Sequence, residues 1–223
     1  GLLSLLKLAG VAQDQIGVYE LGYIIAPRIN AMGRLEHAMD SLRLLCTTNV
    51  QRAAELADRL NSTNKERQQL TLDSFFHAKD LVGKSKKKLL FVSNEIYEPG
   101  VIGLIAGKLA EEFYRPAIVV SIREVYSKAS ARSVSGFNII EFIRLSSSLL
   151  IDAGGHPGAA GFTVETKNLA KLQKAFEKLA EEQIRDSLLI RKLKIDCTLA
   201  LDLISVDLFE AINKLSPFGY GNP

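Results

Sequence analysis

Between Gln51 and Val82 the chain runs without a single glycine or proline, and Ala53, Leu56, Ala57 and Leu60 recur there at helical spacing. One long helix is the only regular element that fits. After Leu60 the apolar stripe gives way to Asn61, Ser62, Asn64, Lys65, Arg67, Gln68 and Gln69, polar on most sides. A helix that loses its apolar face midway leaves one core and crosses toward another. The spacing therefore predicts a domain boundary inside this helix, with Thr47-Thr48-Asn49 capping its start and the basic run Gly83 to Lys88 as the landing beyond it.

The two flanks read differently. Before the helix, Gly1 to Gly10 reads as a short apolar helix ending at glycine, Glu20 to Asn30 as a helix-like segment interrupted by Pro27, and Leu42, Leu44 and Leu45 as a further apolar pattern. Beyond it, strands alternate with helices, which predicts an α/β domain. Strands are expected at Leu89–Ser93, Ala117–Ile122, Tyr126–Ser133, Gly161–Val164 and Lys192–Leu201. Helices are expected at Gly100–Phe113, Asn138–Ser148, Asn168–Arg185 and Ser205–Leu215. The turn-rich end, Ser216-Pro217-Phe218-Gly219-Tyr220-Gly221-Asn222-Pro223, is expected to lead into further structure. The units so defined are 1–49, 50–88, 89–188 and 189–223.

At 223 residues, 47% hydrophobic and 24% charged, the chain can fill one large or two small cores, which excludes a disordered or fibrous protein. Its two cysteines, Cys46 and Cys197, allow at most one bridge and fit a reducing compartment. No uninterrupted apolar run approaches about 18 residues, and the start lacks a basic leader, so a cytoplasmic protein without a membrane partner is expected. The net charge of +3 is too small to identify a polyanion partner by itself. What matters is where the basic residues sit.

Three clusters carry candidate chemistry. Gly154-Gly155-His156-Pro157-Gly158-Ala159-Ala160-Gly161 lies between a predicted helix and a strand; paired glycines let backbone N–H groups form an anion nest, and His156 could donate to a phosphate. The same glycines also suit a tight helix-strand junction. Pro27-Arg28-Ile29-Asn30-Ala31-Met32-Gly33-Arg34 sets two guanidiniums and an amide around a glycine turn, suited to bidentate phosphate contact or to pairing with Glu20 or Glu36. In Ser130-Ala131-Arg132-Ser133, strand alternation puts Ser130 and Arg132 on one face, as a phosphate clamp or as a solvated face. Lys84, Lys86, Lys87 and Lys88 read as a solvated basic loop. His37, His77 and His156 lie far apart, and no Walker loop, Gly-x-Ser-x-Gly elbow or Cys-x-x-Cys pair occurs. The residues suit recognition and offer no evident reaction centre.

Taken in order, these clusters resemble a known family. Gly154 to Gly161 is similar to the GGHxxAAG motif of the DHHA1 domain, which follows the catalytic DHH domain in DHH-type phosphoesterases. Ser130 to Ser133 with Gly136-Phe137-Asn138, the segment Pro27 to Arg34, Glu95 to Pro116 and Asn64 to Gln68 resemble patterns of the RecJ branch, single-strand-specific exonucleases that degrade DNA from the 5′ end. The resemblance covers essentially the whole chain. It implies a helical segment at 1–49 completing an upstream DHH domain, a connecting helix and linker at 50–88, a DHHA1 domain with a mixed sheet at 89–188, and a strand and helix at 189–223 leading toward an OB-fold.

The resemblance also implies roles. Arg34, Gln68, Ser130 and Arg132 would hold the DNA strand, Arg28 and Asn30 would orient the same phosphate path, and Gly154, Gly155 and His156 would close over the active centre. Lys108 stands where the branch often has arginine, keeping the charge without the fork. Glu98 stands where histidine is common, and no binding role is carried onto it. Mn²⁺ or Mg²⁺ would be held by the DHH domain and none by these residues, so this part alone is expected to be inactive. Single-stranded DNA is the implied partner, with a single-strand-binding protein or a helicase as candidate protein partners, in DNA repair and recombination. The alternatives are an oligoribonuclease or cyclic-dinucleotide phosphodiesterase of the same superfamily, and a nucleic-acid-binding module without chemistry.

Overall fold

A computed structural model of the chain describes residues 1–193, 195, 197–219 and 222. Helix α1 (Leu2–Ala9) stops at Gly10, whose left-handed backbone returns its N–H to the carbonyls of Leu6 and Lys7. A π-helical turn, Glu20–Ile25, runs directly into α2 (Ala26–Leu35). Pro27 does not interrupt this helix as expected from the sequence. It sits in the first turn of α2, at the junction where the wider π-helical turn passes into the α-helix. Gly33 is likewise helical, so the expected glycine turn between Asn30 and Arg34 does not form. Helix α3 (Met39–Cys46) follows, and then α4 (Val50–Val82), capped by the Asn49 side chain accepting from the Arg52 N–H at 2.9 Å.

Helix α4 takes part in two cores. Leu56, Ala57 and Leu60 pack with Leu5, Leu6, Ile25, Met32 and Leu44 of the first three helices. At its other end Phe75, Ala78 and Val82 pack against the sheet and α5. Between them the inward face is polar, with Asn64 and Thr71 buried and Arg67 half-buried.

The first core carries a charged fastening. Buried Asp40 on α3 accepts from Arg43 at 2.8 Å and from Arg59 of α4, which also pairs with Glu36. The hydrogen bond from Arg43, and then the Arg59 charge, hold the Asp40 carboxyl below its ordinary value. Because the folded pKa is depressed, this stabilisation is present in full above the unfolded value of about 3.9 and disappears as pH falls through the lower folded value. Asp40→Asn is therefore expected to lower the urea midpoint at pH 7 and to converge on the parent in strong acid, in unfolding curves taken across pH.

The second part is a five-stranded mixed sheet in the order β1-β2-β3-β5-β4. Strand β1 (Leu90–Asn94), α5 (Ile102–Phe113) and β2 (Ala117–Ser121) form a parallel unit. Strands β3 (Tyr126–Arg132), β4 (Asp152–His156) and β5 (Ala159–Glu165) continue it antiparallel. β2 is buried at every position, as a central strand covered on both faces must be. One face packs α6 (Ile139–Arg144) and α7 (Leu169–Gln183) around Phe142, Phe162 and Phe176; the other packs α5 and the end of α4.

Four expectations change here. The segment Gly154 to Gly161 is a β-hairpin turning at Pro157-Gly158, with β4 at the sheet edge, and not a helix-strand junction. The helix expected at Asn138–Ser148 ends at Arg144 and is followed by a 3₁₀ turn, Ser147–Leu149. Among the described residues of 192–201 no strand forms; alternation alone does not make one without a neighbouring strand to pair with. The loop lysines are also more than solvated: Lys87 pairs with Glu177 at 2.7 Å, and Lys88 reaches Asp186 at 3.1 Å and the Ile184 carbonyl at 2.9 Å, tying the end of α4 to α7. The last helix, α8 (Val206–Asn213), is capped by Ser205 and lies exposed. No helix among the described residues is long and apolar enough to cross a membrane.

Candidate nucleic-acid interface

Strand alternation places the site. On β3, Ala129 and Ala131 point into the core beneath α6 and α7, so Ser130 and Arg132 face the side of α5 and α4. Register then extends this face outward: Ser130 pairs with Gly161 and Gly161 with Gly154, while Arg132 pairs with Ala159 and Ala159 with His156. Directly opposed residues share a face, so His156 and Arg132 lie on the same side, two strand spacings or about 10 Å apart. Only Ala159 lies between them in that row. His156 is exposed at the rim.

Arg132 is held rather than free. Its Nη1 donates to Ser130 Oγ at 3.2 Å and to the Ala131 carbonyl at 2.9 Å. Beneath it lies Gly103 of α5, where a Cβ would stand 3.0 Å from Ser130 Oγ and 3.1 Å from Arg132 Nη2. The missing side chain at 103 is the space the guanidinium fills.

Two further arginines converge from distant parts of the chain. Arg34, at the end of α2, donates to the Gly100 carbonyl at 3.1 Å. Arg67, midway along α4, donates to buried Asn64 at 2.7 Å, while its buried Nε has no hydrogen-bond partner. Burial first, and the Arg34 charge second, lower the guanidinium pKa of both Arg67 and Arg132. Each of the two therefore feels a third cation close by. Among the described residues no carboxylate lies within ion-pair distance of Arg34, Arg67 or Arg132, although nine ion pairs form elsewhere among them. Clustered, partly desolvated cations without a counter-charge make a site for an anion, and planar guanidiniums match phosphate oxygens two at a time.

The loop that receives Arg34 is braced from below. Arg123 donates to the carbonyls of Glu95 and Tyr97 at 2.8 and 3.4 Å and pairs with Glu98 at 3.2 Å. Tyr97 is fully buried, its hydroxyl pushed up to about 12 by that burial, and shares a 2.9 Å hydrogen bond with His77 Nδ1 of α4. Gly100 then approaches α2 so closely that a Cβ would stand 1.9 Å from the Arg34 carbonyl oxygen.

The other expected residues divide. Arg28 is committed to structure: its Nε donates to Asn61 of α4 at 3.1 Å and its Nη1 to the Ile24 carbonyl at 2.7 Å. Neither Arg28 nor Arg34 pairs with Glu20 or Glu36; Glu20 accepts from the Gly17 N–H, and Glu36 is taken by Arg59 and Thr63. Asn30 and Gln68 are exposed on α2 and α4. Lys108 holds its ammonium over the Phe75 ring at 5.6 Å. The glycines serve opposite ends: Gly155 has φ 148 and a Cβ there would meet the Ala159 carbonyl at 2.4 Å, whereas Gly154 has open space around it. The expected nest is replaced by an extended edge strand, which leaves one row of backbone groups unpaired.

Residue type alone does not single out Arg67. Position offers the clue: it stands seven residues after Leu60, so it continues the inward face of the helix with a charge. Among the described residues no group of three or more His, Cys, Asp or Glu is placed to hold a metal ion.

Residues 86–182 match the DHHA1 domain model. The whole chain aligns with the single-stranded-DNA-specific exonuclease RecJ of Bacillus subtilis at 34% identity, covering 29% of that protein. Over its whole length the chain is similar to the RecJ-type branch of the DHH/DHHA1 family. The fold agrees with this similarity: the structure of RecJ from Thermus thermophilus in complex with Mg²⁺ superposes with a TM-score of 0.86 at 28% identity, over 100% of this chain and 34% of that one. The same relative, solved with Mn²⁺, superposes equally well. The chain thus spans about a third of the length of these relatives.

Proposed function

We propose that this chain is the strand-handling part of a metal-dependent 5′-to-3′ single-stranded-DNA exonuclease acting in DNA repair and recombination. The observation that carries the reading is the convergence of Arg34, Arg67 and Arg132 without a carboxylate partner among the described residues. The naming of the relatives as single-stranded-DNA-specific exonucleases supports it. In this reading residues 1–49 complete a preceding domain, 50–88 connect, 89–188 form the DHHA1 domain and 189–223 lead onward. Divalent metal ions, which supply an activated water for phosphodiester hydrolysis, are held by residues outside this chain. The chain's own work is to grip phosphate: Arg132 presents its fork beside Ser130, Arg34 and Arg67 add charge from the opposite wall, and His156 touches the strand from the sheet rim. Contacts of this kind carry no base code, so sequence preference is slight.

Arg132→Ala is expected to weaken binding of a single-stranded oligonucleotide about tenfold or more, as loss of a charged hydrogen-bonding group does. It should also reduce the slope of log affinity against log salt by about 0.7, the share of one phosphate on a single strand. Arg52→Ala, which removes only an exposed pair with Glu55, should change neither. An unchanged salt slope in Arg132→Ala overturns the phosphate contact.

A further inference from the structure

Arg132 lines two features at once. Beyond the arginine cluster it also forms one wall of a groove of about 500 Å³ between the end of α5 and the segment after α7, lined further by Tyr114, Ser133, Ser135, Arg191 and Lys192. Glu111 is the one carboxylate on its lining, against three cations. Through Ser135, Tyr114 and Lys192 the groove continues into a neighbouring cavity of about 510 Å³.

Tyr114 is the only non-glycine residue among those described with a positive φ, at φ 48 and ψ 50. Helix ends take this left-handed conformation readily with glycine or asparagine and poorly with a bulky residue. A tyrosine here makes a worse helix stop and places an aromatic ring in the groove. Arg191 lies over that ring at 5.6 Å and donates to the last carbonyls of α5, those of Glu111 and Glu112, which fastens the segment bearing Lys192 against the helix. An aromatic ring, a stacked guanidinium, the Ser135 hydroxyl and an ammonium are together the groups that take a nucleobase and its phosphate.

We propose that this groove is a second nucleotide subsite, which receives the base and phosphate adjoining the phosphate held at Arg132. The proposal rests on the strand-handling reading above and extends it. The base lies against the Tyr114–Arg191 pair and the phosphate meets Lys192 and the Ser135 hydroxyl. The strand then leaves the arginine cluster over the end of α5, on the side away from His156.

Binding of a labelled dithymidylate and a labelled hexathymidylate to the chain, followed by fluorescence anisotropy, tests it. The hexamer should bind more tightly than the dimer. Tyr114→Asn, which suits the left-handed backbone and removes the ring, and Lys192→Ala should each weaken the hexamer about tenfold and the dimer less than about twofold. Arg132→Ala should weaken both. If Arg132→Ala weakens both while Tyr114→Asn and Lys192→Ala leave the hexamer unchanged, the subsite is wrong and the phosphate site stands. If Arg132→Ala changes neither, the strand-handling reading fails and the subsite falls with it. Should Tyr114→Asn shift the thermal midpoint, exposed Lys192→Ala alone decides.

Discussion

Gly100→Ala is expected to abolish most of the single-strand binding without touching any charged group. The new methyl would stand 1.9 Å from the Arg34 carbonyl oxygen and 2.7 Å from its carbon, both backbone atoms that cannot rotate away. Either the end of α2 or the Glu95–Gly100 loop has to retreat. The loop is pinned by Arg123 and by buried Tyr97, so α2 is the part that gives, and it takes Arg34 away from Arg67 and Arg132. Overpacking of this kind costs about 1–3 kcal/mol of stability. The loss in affinity should exceed tenfold, about 1.4 kcal/mol, because a cluster built to act together loses one member's position. Anisotropy titration and urea unfolding of the same variant separate the two effects; full affinity in Gly100→Ala would show that the approach of α2 to this loop does not set the site.

Phe176→Ala should produce the largest loss of stability with the smallest loss of binding. Phe176 is fully buried on α7, its ring 5.4 Å from Phe142, 5.8 Å from Phe162 and 6.4 Å from Phe91. Truncating such a ring costs about 3–5 kcal/mol, through lost transfer energy and the cavity left behind. The residue belongs to the face of the sheet opposite Arg132, so where the variant remains folded its affinity for a single strand should stay within about twofold of the parent, well under the 1.4 kcal/mol that a tenfold change represents. A midpoint of urea unfolding close to the parent's would mean that α7 is far less committed to the sheet than its packing shows.

Much of the architecture was legible where one element's own residues decide it. The long helix was announced by its unbroken run of helix-compatible residues, and the central strand by Ala117 to Ser121, apolar enough to be covered on both faces. Alternation likewise placed Ser130 and Arg132 together, because a strand's period is a local property. What escaped depends on partners. Asp152-Ala153-Gly154-Gly155-His156 has little strand propensity of its own and is extended because β5 lies beside it. Lys192 to Leu201 has the better pattern, yet no neighbour draws its described residues into a sheet. The same dependence hid the cluster: Arg34, Arg67 and Arg132 are brought together only by packing α2, α4 and β3 around the Gly100 loop. Arg28, close to Arg34 in sequence and of the same chemistry, is turned to Asn61 and out of reach.

Helix α4 gives that arrangement a mechanical meaning. Its two ends belong to separate hydrophobic cores, and Arg67 sits on the polar stretch between them beside Arg34, which also stands close to Arg132 of the sheet. Bringing the two cores together therefore works against the mutual repulsion of like charges. In the function proposed above, a polyanion threaded between them would reverse the sign of that force and become part of what holds the two halves in register. Grip and cohesion are then the same interaction, tightened when a strand is present and relaxed when it has passed.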